Sequence, residues 1–188
     1  MFAALVRVME RVGPAELTLR AIAAEAGVTA GALVQRFGSK RALLLAHARY
    51  AADTGNVGVD VPDPDTFSSP LDALRAMTAV HAQLAASPRA AVRNLAYLQN
   101  DLADPALGRH LLKLARTTRA RYEQLLAEAV AAGDLVSDIP TLARMIEVTL
   151  GGSFLAWTLY RQGSAAEHLR EDLDATLRPY LARRERRD

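Results

Sequence analysis

The spacing of the apolar residues does most to narrow the possible folds of this chain. Almost every long segment repeats them at intervals of three and four, and no stretch alternates as a half-buried strand would. The chain is therefore expected to be all-α, with about nine helices. Helical spacing covers residues 1–12, 18–27, 29–37 and about 39–52, then roughly 71–86, 89–103, 105–132, 139–162 and 165–184. Gly13-Pro14 ends the first segment. Thr18 and Thr29 stand where N-caps belong, and Gly27 stands as a residue just past a helix end. Residues 55–70 differ in character, with Gly55, Gly58, Pro62, Pro64 and Pro70 among Asp and Asn, and read as a linker or mobile loop. The tail residues Arg183, Arg184, Arg186 and Arg187 read as a solvated, frayed end.

Composition excludes several classes of function. Cysteine is absent, so disulfides, thiolate metal sites and a cysteine nucleophile are ruled out. No apolar run approaches the ~20 residues that cross a bilayer, and Arg7, Glu10 and Arg11 interrupt the start where a signal peptide would be apolar. A soluble, cytoplasmic protein without a membrane partner is expected. Charge is unevenly placed. The first fifty residues hold seven Lys or Arg against three Asp or Glu, whereas the remainder holds sixteen against eighteen. A basic head on a slightly acidic body suggests that the head meets a polyanion.

The head also carries the most informative local pattern. Two short helical segments, 18–27 and 29–37, are separated only by Gly27-Val28-Thr29, which suits the steep crossing of a helix-turn-helix. In the second segment Leu33 and Phe37 are four apart and turn to the core, leaving Gly31, Ala32, Val34 and Gln35 on the opposite face. In such a motif that face enters the major groove of double-stranded DNA.

Residues 17–44 resemble the DNA-binding region of the tetracycline-repressor (TetR) family. The matching positions are Thr18, Arg20, Ile22 and Ala23, then Ala26-Gly27-Val28-Thr29, then Leu33, Phe37 and Ser39-Lys40. The resemblance implies residues 1–52 as a helix-turn-helix DNA-binding domain and 53–188 as a ligand-binding and dimerisation domain. It assigns Thr18, Thr29 and Lys40 mainly to phosphates, Arg20 to the backbone or groove edge, and Gly31 to a close approach of the helix to DNA. Gln35 can pair bidentately with adenine, Ala32 and Val34 can touch a thymine methyl, and Arg36 can take a phosphate or a guanine. Two positions depart from the family: Ala30 where a Lys is frequent, and Val34 where an aromatic phosphate contact is frequent. Both reduce the expected number of phosphate contacts. The first helix begins at Met1, with no basic arm ahead of it in this chain.

For the second domain the resemblance implies a homodimer formed by the last two helices. Residues 142–160 include Leu142, Met145, Ile146, Leu150, Phe154, Trp157 and Tyr160 and contain Gly151-Gly152, a pair that costs ~1 kcal/mol per residue relative to Ala and so calls for a reason, either close helix approach or a local kink. Leu150, Gly151, Gly152, Phe154, Leu169, Leu173, Leu177 and Tyr180 are the expected interface. An effector pocket is expected among Met77, His81, Tyr97, Leu98, Leu114, Thr118, Tyr122, Phe154 and Trp157, with Asn94 and Gln99 available to orient a ligand. These lie on apolar stripes, and core is the favoured reading for most of them. A mostly apolar lining would take a small hydrophobic or amphipathic effector. The expected function is a sequence-specific transcriptional regulator, a repressor released from a palindromic operator by that effector.

Two other classes compete. An enzyme is disfavoured because His47, His81, His110 and His168 lie on separate segments, and no Glu-x-x-His pair, phosphate loop or dinucleotide fingerprint is present. No catalytic residue, metal or cofactor is expected. A helical adaptor would account for the helices but not for the residues from Thr18 to Lys40.

Overall fold

The computed structural model describes residues 1–55, 57, 63 and 66–182. Half of the expected linker at 55–70, and the arginine tail, lie outside these residues. Among the described residues the chain is all-α, with nine helices: α1 (Phe2–Arg11), α2 (Leu19–Ala26), α3 (Ala30–Phe37), α4 (Lys40–Thr54), α5 (Pro70–Gln83), α6 (Pro88–Ala103), α7 (Pro105–Ala131), α8 (Ile139–Tyr160) and α9 (Ala165–Leu177).

Packing divides the chain into two compact units, Met1–Asp60 with Leu84–Thr117, and Val61–Gln83 with Thr118–Asp188. The division is discontinuous in sequence, because α6 and the beginning of α7 gather with α1–α4.

In the first unit the local chemistry stops and restarts the helices sharply. The Thr18 and Thr29 hydroxyls each accept the backbone N–H three residues ahead, from Ala21 and Ala32, both at 3.1 Å. Ser39 does the same for Ala42 at the start of α4. Gly27 ends α2 at φ 67°, where a side chain would be strained. The N–H of Val28 reaches the Ala23 carbonyl at 3.0 Å and that of Gly27 reaches Ala24 at 3.3 Å, a Schellman closure of the helix. With both ends satisfied, α2 and α3 can turn at three residues without leaving orphaned backbone groups. Leu5, Val8, Leu17, Ile22, Ala23, Leu33 and Leu43 then bury together, and Tyr97 of α6 joins them. Ion pairs from Arg7 and Arg11 to Glu25 tie α1 to α2. These hydrogen bonds, Arg7 first, hold the Glu25 carboxyl below its ordinary pKa.

The second unit is built on α5, the remainder of α7, α8 and α9. Tyr122, Leu125, Leu126, Leu142, Ile146, Leu150, Leu169, Leu173 and Leu177 are all buried. Polar rungs cross between α8 and α9: Thr149 with Thr176 at 3.1 Å, and Ser153 donating to Asp172. A reciprocal capping box between Ser164 and Glu167 starts α9. This helix is shorter than its apolar spacing predicts. It ends at Leu177, and Arg178–Tyr180 form a 3₁₀ turn. Pro179 has no N–H to continue the α-helical ladder. Beyond it the chain extends, with Val136 donating to the Tyr180 carbonyl at 2.8 Å and Ala182 to that of Asp134 at 2.9 Å.

Candidate nucleic-acid interface

The outward face of α3 contains the predicted readers. Leu33 is 1% exposed and Phe37 packs on the core, which turns Gly31, Ala32, Val34, Gln35 and Arg36 to solvent. Val34 is 49% exposed, a large apolar side chain left uncovered on a short helix. Thr18, Arg20 and Thr29 are exposed beside it, the two threonines already engaged as caps. Lys40 is half-buried, and its Nζ donates to the Pro14 carbonyl at 3.3 Å. Arg36 stands over the Phe37 ring, 5.2 Å from its centre, which steadies the guanidinium while leaving it exposed.

The cations of this region sort into two groups. Arg7 and Arg11 are paired with Glu25, and Arg41 is paired with Asp104. Among the described residues, Arg20, Arg36 and Lys40 form no ion pair with a carboxylate, and all three belong to the predicted interface. The basic character visible in the first fifty residues is thus partly neutralised within the fold, and what stays unneutralised includes these three.

Gly31 has no internal requirement for glycine. A Cβ there would meet only the Thr29 Oγ1 at 3.8 Å, an ordinary contact, and its backbone is not left-handed.

The predicted pocket residues divide between the two units. In the first, Tyr97 is core to the α1–α4 cluster and donates its hydroxyl to the Val12 carbonyl at 3.0 Å. Burial pushes its phenol up to about 12. Leu98 is exposed and Leu114 half-buried. Asn94 donates to the Leu84 carbonyl, and Gln99 is exposed. In the second unit Tyr122 and Trp157 are buried, and Met77, His81, Thr118 and Phe154 are half-buried. The Trp157 indole donates to the Gly163 carbonyl at 3.3 Å, and the His81 Nδ1 lies 3.2 Å from that of Thr78. Burial lowers the pKa of His81. A small depression of about 220 Å³ lies between α5 and α9 of the second unit, lined by Arg75, Thr78, Ala79, Leu169 and Leu173 among others and by none of the nine predicted residues.

Four of the eight expected dimer residues require a correction. Leu150, Leu169, Leu173 and Leu177 are buried within a single chain, so they cannot face a partner. Phe154 and Tyr180 are half-buried, and the Tyr180 hydroxyl lies 3.6 Å from the Met145 sulfur. The open apolar face of α8 is a different stripe, Val148, Leu155 and Leu159, with Val148 and Leu159 each 68% exposed. Gly151 and Gly152 are exposed too, with open space where a Cβ would stand.

Sequence reasoning passed over Arg93, Asp104 and Lys113, whose side chains join α6 and α7 to α1 and α4. Arg93 donates to the Glu10 carbonyl at 2.7 Å, and Lys113 pairs with Asp53 at 2.6 Å. No local pattern could signal them, since their partners lie 60 or more residues away.

Residues 2–47 match the family described as bacterial regulatory proteins, tetR family. No curated protein sequence matches the chain significantly. Solved structures share its fold over nearly the whole length. A TetR transcription regulator from Haloarcula marismortui aligns with a TM-score of 0.74 at 18% identity, covering 96% of this chain and 95% of that one. SmeT, the repressor of the Stenotrophomonas maltophilia multidrug efflux pump SmeDEF, aligns at 0.64 and 22% identity, covering 97% and 89%. The fatty acid degradation regulator FadR from Bacillus halodurans aligns at 0.64 and 17% identity, covering 94% and 95%.

Proposed function

From a chain that belongs to the TetR family of bacterial regulatory proteins by its N-terminal domain, and has the fold of such regulators throughout, we propose a sequence-specific repressor released from a palindromic operator by a small hydrophobic or amphipathic effector. The observation that carries the reading is the outward face of α3. An uncovered Val34 and a free Gln35 amide stand beside Arg20, Arg36 and Lys40, three cations without carboxylate partners among the described residues. Unpaired cations supply phosphate attraction, and the amide and apolar groups supply base discrimination. Gly31 adds to this. Its own fold has room for a side chain, and the missing Cβ leaves the outward face of α3 open to close approach by a duplex.

A homodimer follows from the same reading, with the face on α8 changed from the one first expected. Val148, Leu155 and Leu159 form a stripe that water covers poorly, and Gly151-Gly152 lets a second helix come close. Two-fold symmetry would present two copies of α3 to the two halves of a palindrome. The effector's chemistry is supported by analogy, because SmeT, which shares the fold, forms a complex with triclosan. An effector that releases DNA must favour the conformation with low DNA affinity, and DNA must weaken effector binding by the same factor.

Selection of bound duplexes from a random pool, followed by titration at two salt concentrations, tests the proposal. An enriched palindrome and a log–log slope near −0.9 per neutralised phosphate are expected. No enrichment, with a flat salt response, would sink it and leave the helical adaptor as the better description.

A further inference from the structure

Asp104 stands at the corner between α6 and α7, and its one carboxylate serves two helices. Oδ1 accepts the backbone N–H of Ala106 at 2.8 Å and that of Leu107 at 3.4 Å, capping the start of α7. The same group holds the Arg41 guanidinium at two points, Nε to Oδ2 at 2.7 Å and Nη2 to Oδ1 at 3.0 Å. Arg41 is the second residue of α4 and directly follows Lys40. The Lys113–Asp53 pair joins α7 to the last turn of α4, so the helix is held near both ends.

Exposed ion pairs are usually worth little, because ordering two long side chains offsets most of the attraction. This pair differs in geometry. Its two-point contact fixes orientation as well as distance, and the α7 amides already hold the Asp104 side chain, which is 21% exposed. The guanidinium and then the Ala106 amide pull the Asp104 carboxyl down to about 2, so it stays charged throughout the neutral range.

Resting on the DNA-binding reading above, we infer that Asp104 is a positioning residue for the DNA-binding face. Through Arg41 it fixes where α4 begins, and so where Lys40 and the end of α3 stand, without touching DNA. The sign of the effect separates this role from simple electrostatics. A carboxylate near a polyanion opposes binding by charge alone, so removing it would tighten binding if positioning played no part.

The test uses the full chain. Asp104→Asn keeps an oxygen able to cap α7, since Asn caps as well as Asp, and removes the charge. With a selected duplex, Asp104→Asn is expected to weaken binding roughly three- to tenfold, the range of a surface pair broken in both heads of a dimer. The salt slope should not change, because no phosphate contact is lost. In an Arg41→Ala background the same substitution should add nothing. Unchanged or tighter binding, or effects of the two substitutions that multiply, would overturn the inference. A second arm needs no DNA. Hydrogen exchange at the Leu43 amide, which closes the first turn of α4 on the Ser39 carbonyl, should speed up in both variants by a similar factor. Unchanged exchange would overturn the positioning role, whereas a wild-type protein that binds no duplex would overturn the regulator reading.

Discussion

Tyr97 of α6 donates its hydroxyl to the backbone carbonyl of Val12 at 3.0 Å, closing an end of α1 from 85 residues away. Carbonyls at a helix C-terminus lack intrahelical partners, and α6 supplies two donors here, with Arg93 reaching Glu10. Removal of the hydroxyl leaves a carbonyl unsatisfied beside the core of the DNA-binding unit. Tyr97→Phe should destabilise that unit by about 1 kcal/mol, read from chemical denaturation monitored at α1–α4. A denaturation midpoint identical to wild type would show that water replaces the hydroxyl.

Gly31→Ala separates folding from recognition. The added methyl has room and raises helix propensity, so stability should stay level or rise by a few tenths of a kcal/mol. Affinity for a selected duplex should fall, because the methyl stands on the outward face of α3. Equal affinity in a titration would remove Gly31 from the interface.

Lys40 and Gln35 should respond differently to truncation. Lys40→Ala is expected to weaken all duplexes similarly and to flatten the salt slope by about one for each head. Gln35→Ala should chiefly relax preference at one base pair in each half-site, a discrimination of ~1–3 kcal/mol. A competition series across operator variants distinguishes them, and a uniform loss with Gln35→Ala would deny it a reading role.

His47 is expected to make the first unit sensitive to acid. Its ring meets Phe2 edge-on at 5.4 Å, and its Nε2 is buried without a hydrogen-bond partner among the described residues. Burial lowers its pKa from the ordinary 6.5, so the native state resists protonation while the unfolded chain accepts it. The resulting stability is complete above about pH 6.5 and declines as pH falls from there toward the lowered value. His81 has the same sign in the other unit. His47→Leu should flatten the decline at α1–α4 as pH falls below about 6.5, measured by denaturant titration. A slope equal to wild type would place the titration elsewhere.

The two apolar faces of α8 should separate by what they disrupt. Leu155→Glu is expected to convert a dimer to monomer in analytical ultracentrifugation with little loss of fold. Leu150→Ala should cost ~2–5 kcal/mol of stability, because its side chain is buried within one chain. A Leu155→Glu protein that sediments as wild type would remove this stripe from the interface.

The helix-turn-helix was legible in the residues themselves because its determinants are local. Thr18, Gly27 and Thr29 act on amides and carbonyls within five positions, and the four-residue spacing of Leu33 and Phe37 decides which side of α3 turns out. The same spacing could not separate the buried Leu150 from the exposed Val148, Leu155 and Leu159, since α8 is apolar on most of its circumference. Periodicity reports that a residue is apolar and on which side it stands, not which neighbour covers it. Tyr97 illustrates the same limit: its stripe on α6 fitted a pocket, but folding brings it to Val12 and makes it part of the DNA-binding unit. Helix type, caps and the outward face of α3 are fixed by contacts within a turn or two. Packing between helices distant in sequence decided which apolar face is core, which cations keep their charge free, and which carboxylate holds α4, because those contacts exist only once the chain has closed on itself.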